Sequence, residues 1–366
     1  MKIYKKRIKN IKEKISKTNI DYIILTPSTN MKYLTGFDTE SHERLLACII
    51  SSAGESILLG PELNKKEMKK TPIDKKIYWQ ESENPLNILI NLTKEIKSKN
   101  AKIGIEKGAT ANLLLPLQEK LNSCSFEFID DIFSKMRLIK SDKEKMLLKK
   151  ASQIAEKALE ITINSENWIG KSEKELAAKL EYNLKKQGMS GTSFKTIVGS
   201  GPHGASPHHN YDDRLIKESE SVVIDFGGIY KGYCSDMTRT FSFGEPSSKL
   251  REVFKIVKNS QELAEEKIKP GMKAEEVDKI TRDYINKNDY GEYFIHRTGH
   301  GIGMDVHEKP FIVQGNKEVL KPGMVFSVEP GIYLPNEFGV RIEDLVLITD
   351  NGCESLNKFT KNTLNY

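Results

Sequence analysis

The sequence predicts two domains, an α/β domain over residues 1–134 and an α+β domain over residues 135–366. First, a chain of 366 residues is long for one domain and sufficient for two hydrophobic cores. Second, short apolar runs alternate with helical stretches in the N-terminal third, as in α/β domains. Third, long helices and hairpins that are separated in sequence follow residue 141, which indicates an α+β domain with one largely antiparallel sheet.

The N-terminal domain begins with an amphipathic helix over residues 1–20, where Ile8, Ile11 and Ile15 lie on or near one stripe with Ile3. The apolar run at 21–28, ended by Pro27, predicts a buried strand, and residues 30–37 predict a turn-rich connection. Four further elements are expected: a hairpin over 45–60 with its turn near Ala53-Gly54, a helix around 85–98, a strand at 101–106 and a helix at 111–121.

Two helix-capping signals open the C-terminal domain. Ser141 with Glu144 predicts a long helix that ends near residue 164, and Ser172 with Glu175 predicts a second helix that ends at Gly188. The elements expected after them are a short strand and a loop rich in Gly, Pro and His (192–210), a hairpin (222–243), helices at 248–268 and 274–287, and strands with loops at 293–310, 322–335 and 339–349.

Composition excludes several classes of protein. No run of about 18 apolar residues exists, so no membrane span is expected. The N-terminus has no apolar region of a secretory signal, and the four cysteines are scattered, which predicts reduced thiols in the cytoplasm. The net charge of +6 comes from lysines that alternate with Ile at helical spacing, as on a solvated helix face, so no nucleic-acid partner is expected.

The hairpin over residues 222–243 carries two carboxylates on one face. If its turn centres on Tyr230-Lys231, Asp225 lies opposite Asp236, and if it centres on Lys231-Gly232, the two lie on the adjacent diagonal. Facing carboxylates in an apolar hairpin repel each other and lose hydration, so a divalent metal between them is expected. The alternative is that both are ordinary turn or solvent-facing residues.

Polar residues also interrupt the apolar strands of the last third. Glu329 ends one strand, and Arg341 and Glu343 share one face of the next, opposite Val340 and Ile342. Arg341 is therefore expected to flank the Glu343 carboxylate and to pair either with it or with a substrate anion.

Together these residues predict a site for two metal ions. His300 lies in a glycine-rich segment, where missing side chains let other groups approach its ring. One imidazole with several carboxylates suits Mn²⁺, Co²⁺, Fe²⁺ or Zn²⁺. Two divalent ions would cancel the four negative charges, and a hydroxide held between them would serve as nucleophile. The four carboxylates are Asp225, Asp236, Glu329 and Glu343.

In these motifs the chain resembles the metallopeptidase family of Xaa-Pro dipeptidases (prolidases), aminopeptidase P and methionine aminopeptidases, which have the pita-bread fold. The family's ligands run Asp, Asp eleven residues later, His, Glu and Glu, and this order is matched by Asp225, Asp236, His300, Glu329 and Glu343. Residues 137–366 resemble the catalytic domain, and residues 1–130 resemble the α/β N-terminal domain of the creatinase and prolidase branch.

The resemblance implies a role for each matched residue. Asp236 and Glu343 would bridge two divalent ions, Mn²⁺ or Co²⁺ foremost and Zn²⁺ or Fe²⁺ as alternatives. The resemblance further implies that Asp225 binds one metal, that His300 and Glu329 bind the other, and that Glu329 also transfers a proton. It implies oxyanion or substrate contacts for His208 and His307, and substrate contacts for His296 and Arg341. Either His208 or His209 could enter the site; His208 is favoured because it follows Pro207, and His203 is expected to belong to the loop.

The activity implied is hydrolysis of the Xaa-Pro bond of dipeptides or short peptides by metal-activated water. Aminopeptidase P activity on longer peptides is the alternative, and a non-catalytic pita-bread binding protein is a third hypothesis. Methionine aminopeptidases typically lack the N-terminal domain that this chain has. A homodimer is also implied, because the N-terminal domain of this family commonly supports dimer formation.

Overall fold

A computed structural model describes residues 1–39, 43–97, 99–362 and 364–366. The chain divides into two compact units, Met1–Met136 and Arg137–Tyr366. In the part of the chain that is described, no helix is both long enough and apolar enough to cross a membrane.

The first unit is built on a six-stranded mixed sheet in the order β4-β3-β2-β1-β5-β6. The pairs β1–β2 and β2–β3 are antiparallel, whereas β1–β5, β3–β4 and β5–β6 are parallel. The strands are β1 (Tyr22–Leu25), β2 (Ala47–Ser51), β3 (Ser56–Pro61), β4 (Lys75–Trp79), β5 (Lys102–Ile105) and β6 (Ser125–Phe128). The helices are α1 (Lys2–Ile15), α2 (Thr29–Thr35), α3 (Lys65–Met68), α4 (Pro85–Ile96), α5 (Ala111–Lys120) and α6 (Asp130–Leu138).

Most elements of this unit follow the sequence pattern. Helix α1 buries Ile8, Ile11 and Ile15, which confirms the predicted stripe. The hairpin of β2 and β3 is confirmed, with Ile50 opposite Ser56 across the turn. Helix α4 begins at the predicted residue and ends at Ile96, and the predicted end at Ser98 lies outside the described residues.

The prediction of a turn-rich connection over residues 30–37 is wrong, because this segment forms helix α2. The Ser28 side chain accepts a hydrogen bond from the backbone N–H of Met31, which satisfies a free donor at the helix start. Gly36 follows the last turn with φ = +72°, the left-handed conformation that ends many helices. Strands β4 and β6 were not predicted, since both lie at sheet edges and expose residues that break the apolar pattern.

The second unit contains the remaining four helices and twelve strands of the described chain. The helices are α7 (Asp142–Ile163), α8 (Glu173–Lys186), α9 (Ser248–Lys267) and α10 (Ala274–Asn286). The strands are β7 (Ile197–Ser200), β8 (Ser221–Phe226), β9 (Ile229–Tyr230), β10 (Tyr233–Cys234), β11 (Met237–Ser242), β12 (Gly299–Gly301), β13 (Glu308–Ile312), β14 (Val325–Val328), β15 (Gly331–Leu334), β16 (Phe338–Arg341), β17 (Asp344–Ile348) and β18 (Cys353–Ser355).

The ladders of this unit are antiparallel, as predicted, but they are divided among several sheets rather than one. The sheet β11-β8-β7 has three strands, the sheet β13-β12-β14-β17-β18 has five, and β9–β10 and β15–β16 form two-stranded ladders. A single antiparallel bridge between Thr238 and Glu343 connects the two larger sheets. Glu343 of this bridge is itself a predicted ligand, and Asp236, another predicted ligand, lies two residues before Thr238.

Two apolar cores hold these sheets. Helices α7 and α8 open with the predicted capping boxes and pack Leu159 and Leu180 in the same buried cluster as Ile224 of β8. Helix α10 contributes Val277 to a second cluster that contains Phe326 of β14. The strands that carry the predicted ligands are thus fixed by buried apolar side chains.

Candidate metal centre

The register of the central hairpin is set by its turn. Tyr230 pairs with Tyr233, and both residues between them have positive φ, +48° at Lys231 and +83° at Gly232. A two-residue turn of this kind requires left-handed backbone at both central positions. The turn therefore centres on Lys231-Gly232, and Asp225 pairs with Thr238, which confirms the diagonal register of the two alternatives.

Asp236 lies between strands β10 and β11, where the hairpin backbones come unusually close. A Cβ atom on Gly227 would lie 1.9 Å from the carbonyl oxygen of Ser235. Because glycine has no side chain, the two backbones can approach at this point. The approach fixes the backbone next to Asp236, whose side chain is buried.

The other predicted residues come from separate strands and loops and meet at one cavity of about 670 Å³. His300 lies in β12, Glu329 directly follows β14, Arg341 ends β16 and Glu343 lies just before β17. All nine predicted site residues line this cavity: His208, Asp225, Asp236, His296, His300, His307, Glu329, Arg341 and Glu343. Side chains from four regions of the sequence thus form a single site.

Three of these side chains could hold a cation without rearrangement. Asp236, His300 and Glu343 each offer a ligand atom, and the three atoms lie within 4.8 Å of one another. His300 Nε2 lies 3.7 Å from Asp236 Oδ2 and 3.2 Å from Glu329 Oε1. Neighbouring ligand atoms around one ion with bonds of about 2.0–2.1 Å lie at similar separations.

Two buried carboxylate oxygens of the predicted ligands have no hydrogen-bond partner among the described residues, Asp225 Oδ1 and Glu343 Oε1. The other oxygen of Glu343 accepts a hydrogen bond of 2.7 Å from Thr238 Oγ1. A buried carboxylate oxygen without a donor is energetically costly, and metal coordination removes that cost. The residues present therefore fit a cluster of divalent ions.

Arg341 does not form the ion pair with Glu343 that was one of its two expected pairings. It pairs with Asp225, from Nη2 to Oδ2 at 2.7 Å, and not with Glu343. The expected pairing with Glu343 is wrong because the guanidinium reaches Asp225 of β8, while Arg341 Nε donates to Thr238 Oγ1 of β11 at 3.1 Å. The predicted face of Arg341 is correct, since its side chain lines the cavity.

Burial shifts the ionisation of the cluster. Loss of hydration, with repulsion from neighbouring carboxylates, raises the pKa of Asp236 and Glu343 well above their ordinary values. Burial raises the pKa of Glu329 to about 7 and lowers the pKa of His300 to about 3. His300 is therefore neutral and able to bind a metal at neutral pH, and a bound cation would displace any proton that Asp236 or Glu343 holds.

The four remaining histidines in the site region take different orientations. His208 lines the cavity, whereas His209 Nε2 lies 2.8 Å from the carboxylate of Glu173. His307 packs edge-on against His300, with ring centroids 4.1 Å apart. His296 is half-buried, and loss of hydration lowers its pKa to about 4, so its ring is neutral at physiological pH.

Tyr333 was not predicted from the sequence, yet it joins two of the predicted residues. Its hydroxyl lies 2.8 Å from His296 Nε2 and accepts a hydrogen bond of 2.8 Å from Arg341 Nη1. In the ladder of β15 and β16, Gly331 pairs with Arg341, so alternation puts Tyr333 on the face of Arg341. That alternation is the pattern from which Tyr333 could have been found.

Comparisons with known proteins agree with the site. Residues 146–350 match metallopeptidase family M24, and residues 7–139 match the creatinase/prolidase N-terminal domain. A Xaa-Pro dipeptidase of Pyrococcus horikoshii is 40% identical over 362 residues, which cover 98% of each chain. A crystal structure of prolidase from Thermococcus sibiricus has a TM-score of 0.96 and 40% identity over 99% of both chains.

An X-Pro aminopeptidase from Thermotoga maritima is also similar, with a TM-score of 0.86 and 32% identity over 97% of this chain and 100% of that one. Proteins with both names therefore share the complete fold with this chain. The matches confirm the family resemblance and the two-domain fold class that the sequence predicts.

Proposed function

The chain belongs to metallopeptidase family M24, and on that basis we propose that it hydrolyses the Xaa-Pro bond of dipeptides. The observation that carries the proposal is one cavity that contains the five proposed metal ligands, a buried arginine and three further histidines. The similarity to proteins named prolidase and Xaa-Pro dipeptidase favours proline after the scissile bond.

The proposed metal ligands are Asp225, Asp236, His300, Glu329 and Glu343, with Asp236 and Glu343 shared between two ions. When bound, the ions supply an acidified water and polarise the scissile carbonyl. Mn²⁺ or Co²⁺ is proposed because four carboxylates and one imidazole suit these ions, and Zn²⁺ and Fe²⁺ also accept such ligands. The two unpartnered oxygens of Asp225 and Glu343 support this assignment.

Glu329 is proposed to move the proton. Its carboxyl is largely buried, and in the metal-free protein burial raises its pKa to about 7. It would accept the proton of the attacking water and give it to the departing proline nitrogen. Ser327 donates a hydrogen bond of 3.0 Å to Glu329 Oε1 and holds the carboxyl in place.

His208, His307 and Arg341 are proposed to bind the substrate. Both imidazoles line the cavity and can donate to the carbonyl oxygen as it gains negative charge. The guanidinium of Arg341 is 3% exposed and lies at the same wall, where it can bind the carboxylate of a dipeptide. Asp225, which faces this cation, or the ion next to it would hold the free amino group and enforce exopeptidase action.

Aminopeptidase P activity is the second candidate, because an X-Pro aminopeptidase shares the fold over 97% of this chain. The two activities differ in the length of peptide that the cleft admits. We further propose a homodimer, which the family resemblance implies, and a cytoplasmic location. The location is supported by Cys48, Cys124, Cys234 and Cys353, which are all free thiols, as a reducing compartment allows.

The test is hydrolysis of Ala-Pro, Ala-Pro-Ala and Met-Ala-Ser by the purified chain with Mn²⁺ or Co²⁺ and with a chelator as control. Cleavage of Ala-Pro alone supports the dipeptidase, and preference for Ala-Pro-Ala supports aminopeptidase P. Cleavage after Met would assign the methionine branch instead. Absence of metal-dependent cleavage of all three peptides would overturn the proposal. Light scattering of the same sample tests the dimer.

A further inference from the structure

A second group of potential metal ligands lies outside the catalytic cavity. It consists of Glu173 at the start of α8, His203 in the turn at Gly201–Ala205, and His209 and Asp212 in the loop that follows. Each offers one ligand atom, and these four atoms lie within 4.8 Å of one another. None of the four lines the cavity described above.

The two imidazoles converge on one carboxylate. Glu173 Oε2 lies 2.8 Å from His209 Nε2 and 3.2 Å from His203 Nδ1. His203 Nδ1 is also 3.9 Å from Asp212 Oδ1. The two rings are tilted by 39°, with centroids 4.2 Å apart, and one nitrogen of each lies within hydrogen-bond distance of the Glu173 carboxylate.

Glu173 is held as a ligand with a defined orientation. Its side chain is 0% exposed, and its Oε1 accepts hydrogen bonds of 2.7 Å from both the backbone N–H and the hydroxyl of Ser200. These bonds fix the carboxylate. Its Oε1 also lies 3.1 Å from His203 Nδ1, and its Oε2, which lies nearest His209, accepts a hydrogen bond of 3.3 Å from the backbone N–H of Asp212. Metal-binding carboxylates are commonly oriented by hydrogen bonds of this kind.

The ligand separations suit a small ion. In a tetrahedral site with bonds of 2.0–2.1 Å, neighbouring ligand atoms lie about 3.3 Å apart. Three of the six separations range from 2.8 to 3.9 Å and bracket that distance, and all six are within 4.8 Å. An ion can reach this group from solvent, since the side chains of Asp212 and His203 are 56% and 32% exposed although the Glu173 carboxylate is buried.

The charges are also compatible with a divalent cation. Glu173 and Asp212 carry two negative charges, and two neutral imidazoles add none. Arg214, a basic side chain that also interacts with Glu173 and Asp212, is paired with Glu220 through two bonds of 2.6 and 2.7 Å. A divalent ion would therefore neutralise the group.

We propose that Glu173, His203, His209 and Asp212 bind one divalent transition-metal ion, of which Zn²⁺ best suits two imidazoles and two carboxylates. The ion connects the start of α8 to the loop over residues 201–212. His208 lies in that loop, one residue before a ligand, and lines the catalytic cavity. The site is structural, and binding at it does not depend on the proposed peptidase activity.

The test measures Zn²⁺ bound per full-length chain by mass spectrometry after dialysis against buffered Zn²⁺. The double variant His203→Gln/His209→Gln is expected to bind one ion fewer than the unmodified chain, two instead of three if both catalytic ions are present. The difference of one is expected even if the catalytic cluster holds fewer ions, so failure of the peptidase proposal is distinguishable. Equal Zn²⁺ content in both proteins overturns the site.

A matched pair of variants and a direct measurement complete the test. Asp212→Asn is expected to weaken binding of this ion, whereas Asp213→Asn, which removes the adjacent exposed carboxylate, is expected to leave it unchanged. Anomalous diffraction at the zinc edge from Zn²⁺-soaked crystals should show a peak between His203 Nδ1 and His209 Nε2. Absence of that peak in the unmodified protein overturns the proposal without relying on any variant.

Discussion

Arg341 Nη2 donates a hydrogen bond of 2.7 Å to Asp225 Oδ2, which sets a buried cation directly against a proposed metal ligand. Both side chains are largely shielded, with 3% of Arg341 and 13% of Asp225 exposed. The second oxygen of Asp225 has no hydrogen-bond partner within the described chain. Arg341 therefore takes one oxygen of this carboxylate and leaves the other for the proposed metal ion.

Replacing Arg341 should separate these two effects. In the metal-free protein, Arg341→Met leaves a buried carboxylate without its cation and should lower the free energy of unfolding by about 3 kcal/mol. Metal affinity should rise, because a nearby positive charge is lost, while kcat/KM falls with the substrate contact. Urea unfolding with chelator, calorimetric Mn²⁺ titration and Ala-Pro hydrolysis measure the three effects.

The control for this variant is Arg251→Met, which removes an exposed arginine paired with Glu245 and should change none of the three quantities. Unchanged stability of metal-free Arg341→Met would contradict the importance of the pair with Asp225.

Glu343 is expected to be indispensable for binding two ions. Glu343→Ala should abolish binding of the ion pair and lower turnover by several orders of magnitude, because a shared carboxylate serves both ions. Glu337→Ala removes an exposed glutamate that pairs with Lys249 and serves as the matched control. Metal content per chain and kcat are measured together. Full activity in metal-checked Glu343→Ala protein would refute the ligand assignment.

The positions of the ligands could be predicted because alternation along a strand is strict. In both of the two-residue turns considered, a period of two keeps Asp225 and Asp236 on one face. The choice between the two registers could not be made, since it depends on the φ values of Lys231 and Gly232. Nothing in the pattern shows that a lysine accepts left-handed backbone there.

Contacts between segments that are distant in sequence could not be predicted from the sequence pattern. The pair of Arg341 with Asp225 joins residues 116 positions apart, so local alternation shows the face of Arg341 but not its partner. The loop histidines were ambiguous for the same reason, because their partner Glu173 lies 30 or more residues earlier on another element. Helix α2 was missed because its short length gives too little periodicity to outweigh the turn-forming residues around it.

The pKa of Glu329 predicts a pH dependence of metal-free stability. With a pKa of about 7 against an ordinary 4.5, the folded protein holds a proton that the unfolded chain releases between those values. The contribution to the free energy of unfolding is therefore present at low pH and is lost as pH rises towards 7. His296 and His300 act in the opposite sense, because their lowered pKa values remove stability below pH 6.5.

Comparison with Glu329→Gln isolates this effect, since the histidine contributions largely cancel. The free energy of unfolding of the variant, minus that of the unmodified protein, should increase by about 3 kcal/mol between pH 4.5 and 7.5. Urea unfolding with chelator at several pH values measures it, with exposed Glu337→Gln as control. A difference that does not vary with pH would exclude a raised pKa at Glu329.

Tyr333 should support catalysis although it is no metal ligand. Its hydroxyl contacts His296 Nε2 and Arg341 Nη1, both at 2.8 Å, so Tyr333→Phe removes two hydrogen bonds that orient substrate-binding groups. The loss of roughly 1–2 kcal/mol corresponds to about a 10-fold lower kcat/KM. Tyr290→Phe, which removes an exposed hydroxyl bonded to Glu252, is the control. Equal kcat/KM in the two variants would contradict this role.

The turn that fixes the ligand register should respond to substitution without altering the site. Lys231 has φ = +48°, a conformation that asparagine adopts more readily, so Lys231→Asn should stabilise the protein by about 0.5 kcal/mol. Gly232 has φ = +83°, and Gly232→Ala should destabilise it by about 1 kcal/mol because a Cβ strains this backbone. Urea unfolding measures both changes. Metal affinity should stay constant in Lys231→Asn, because the substitution preserves the register that sets Asp225 diagonal to Asp236. An altered metal affinity in this variant would contradict the prediction.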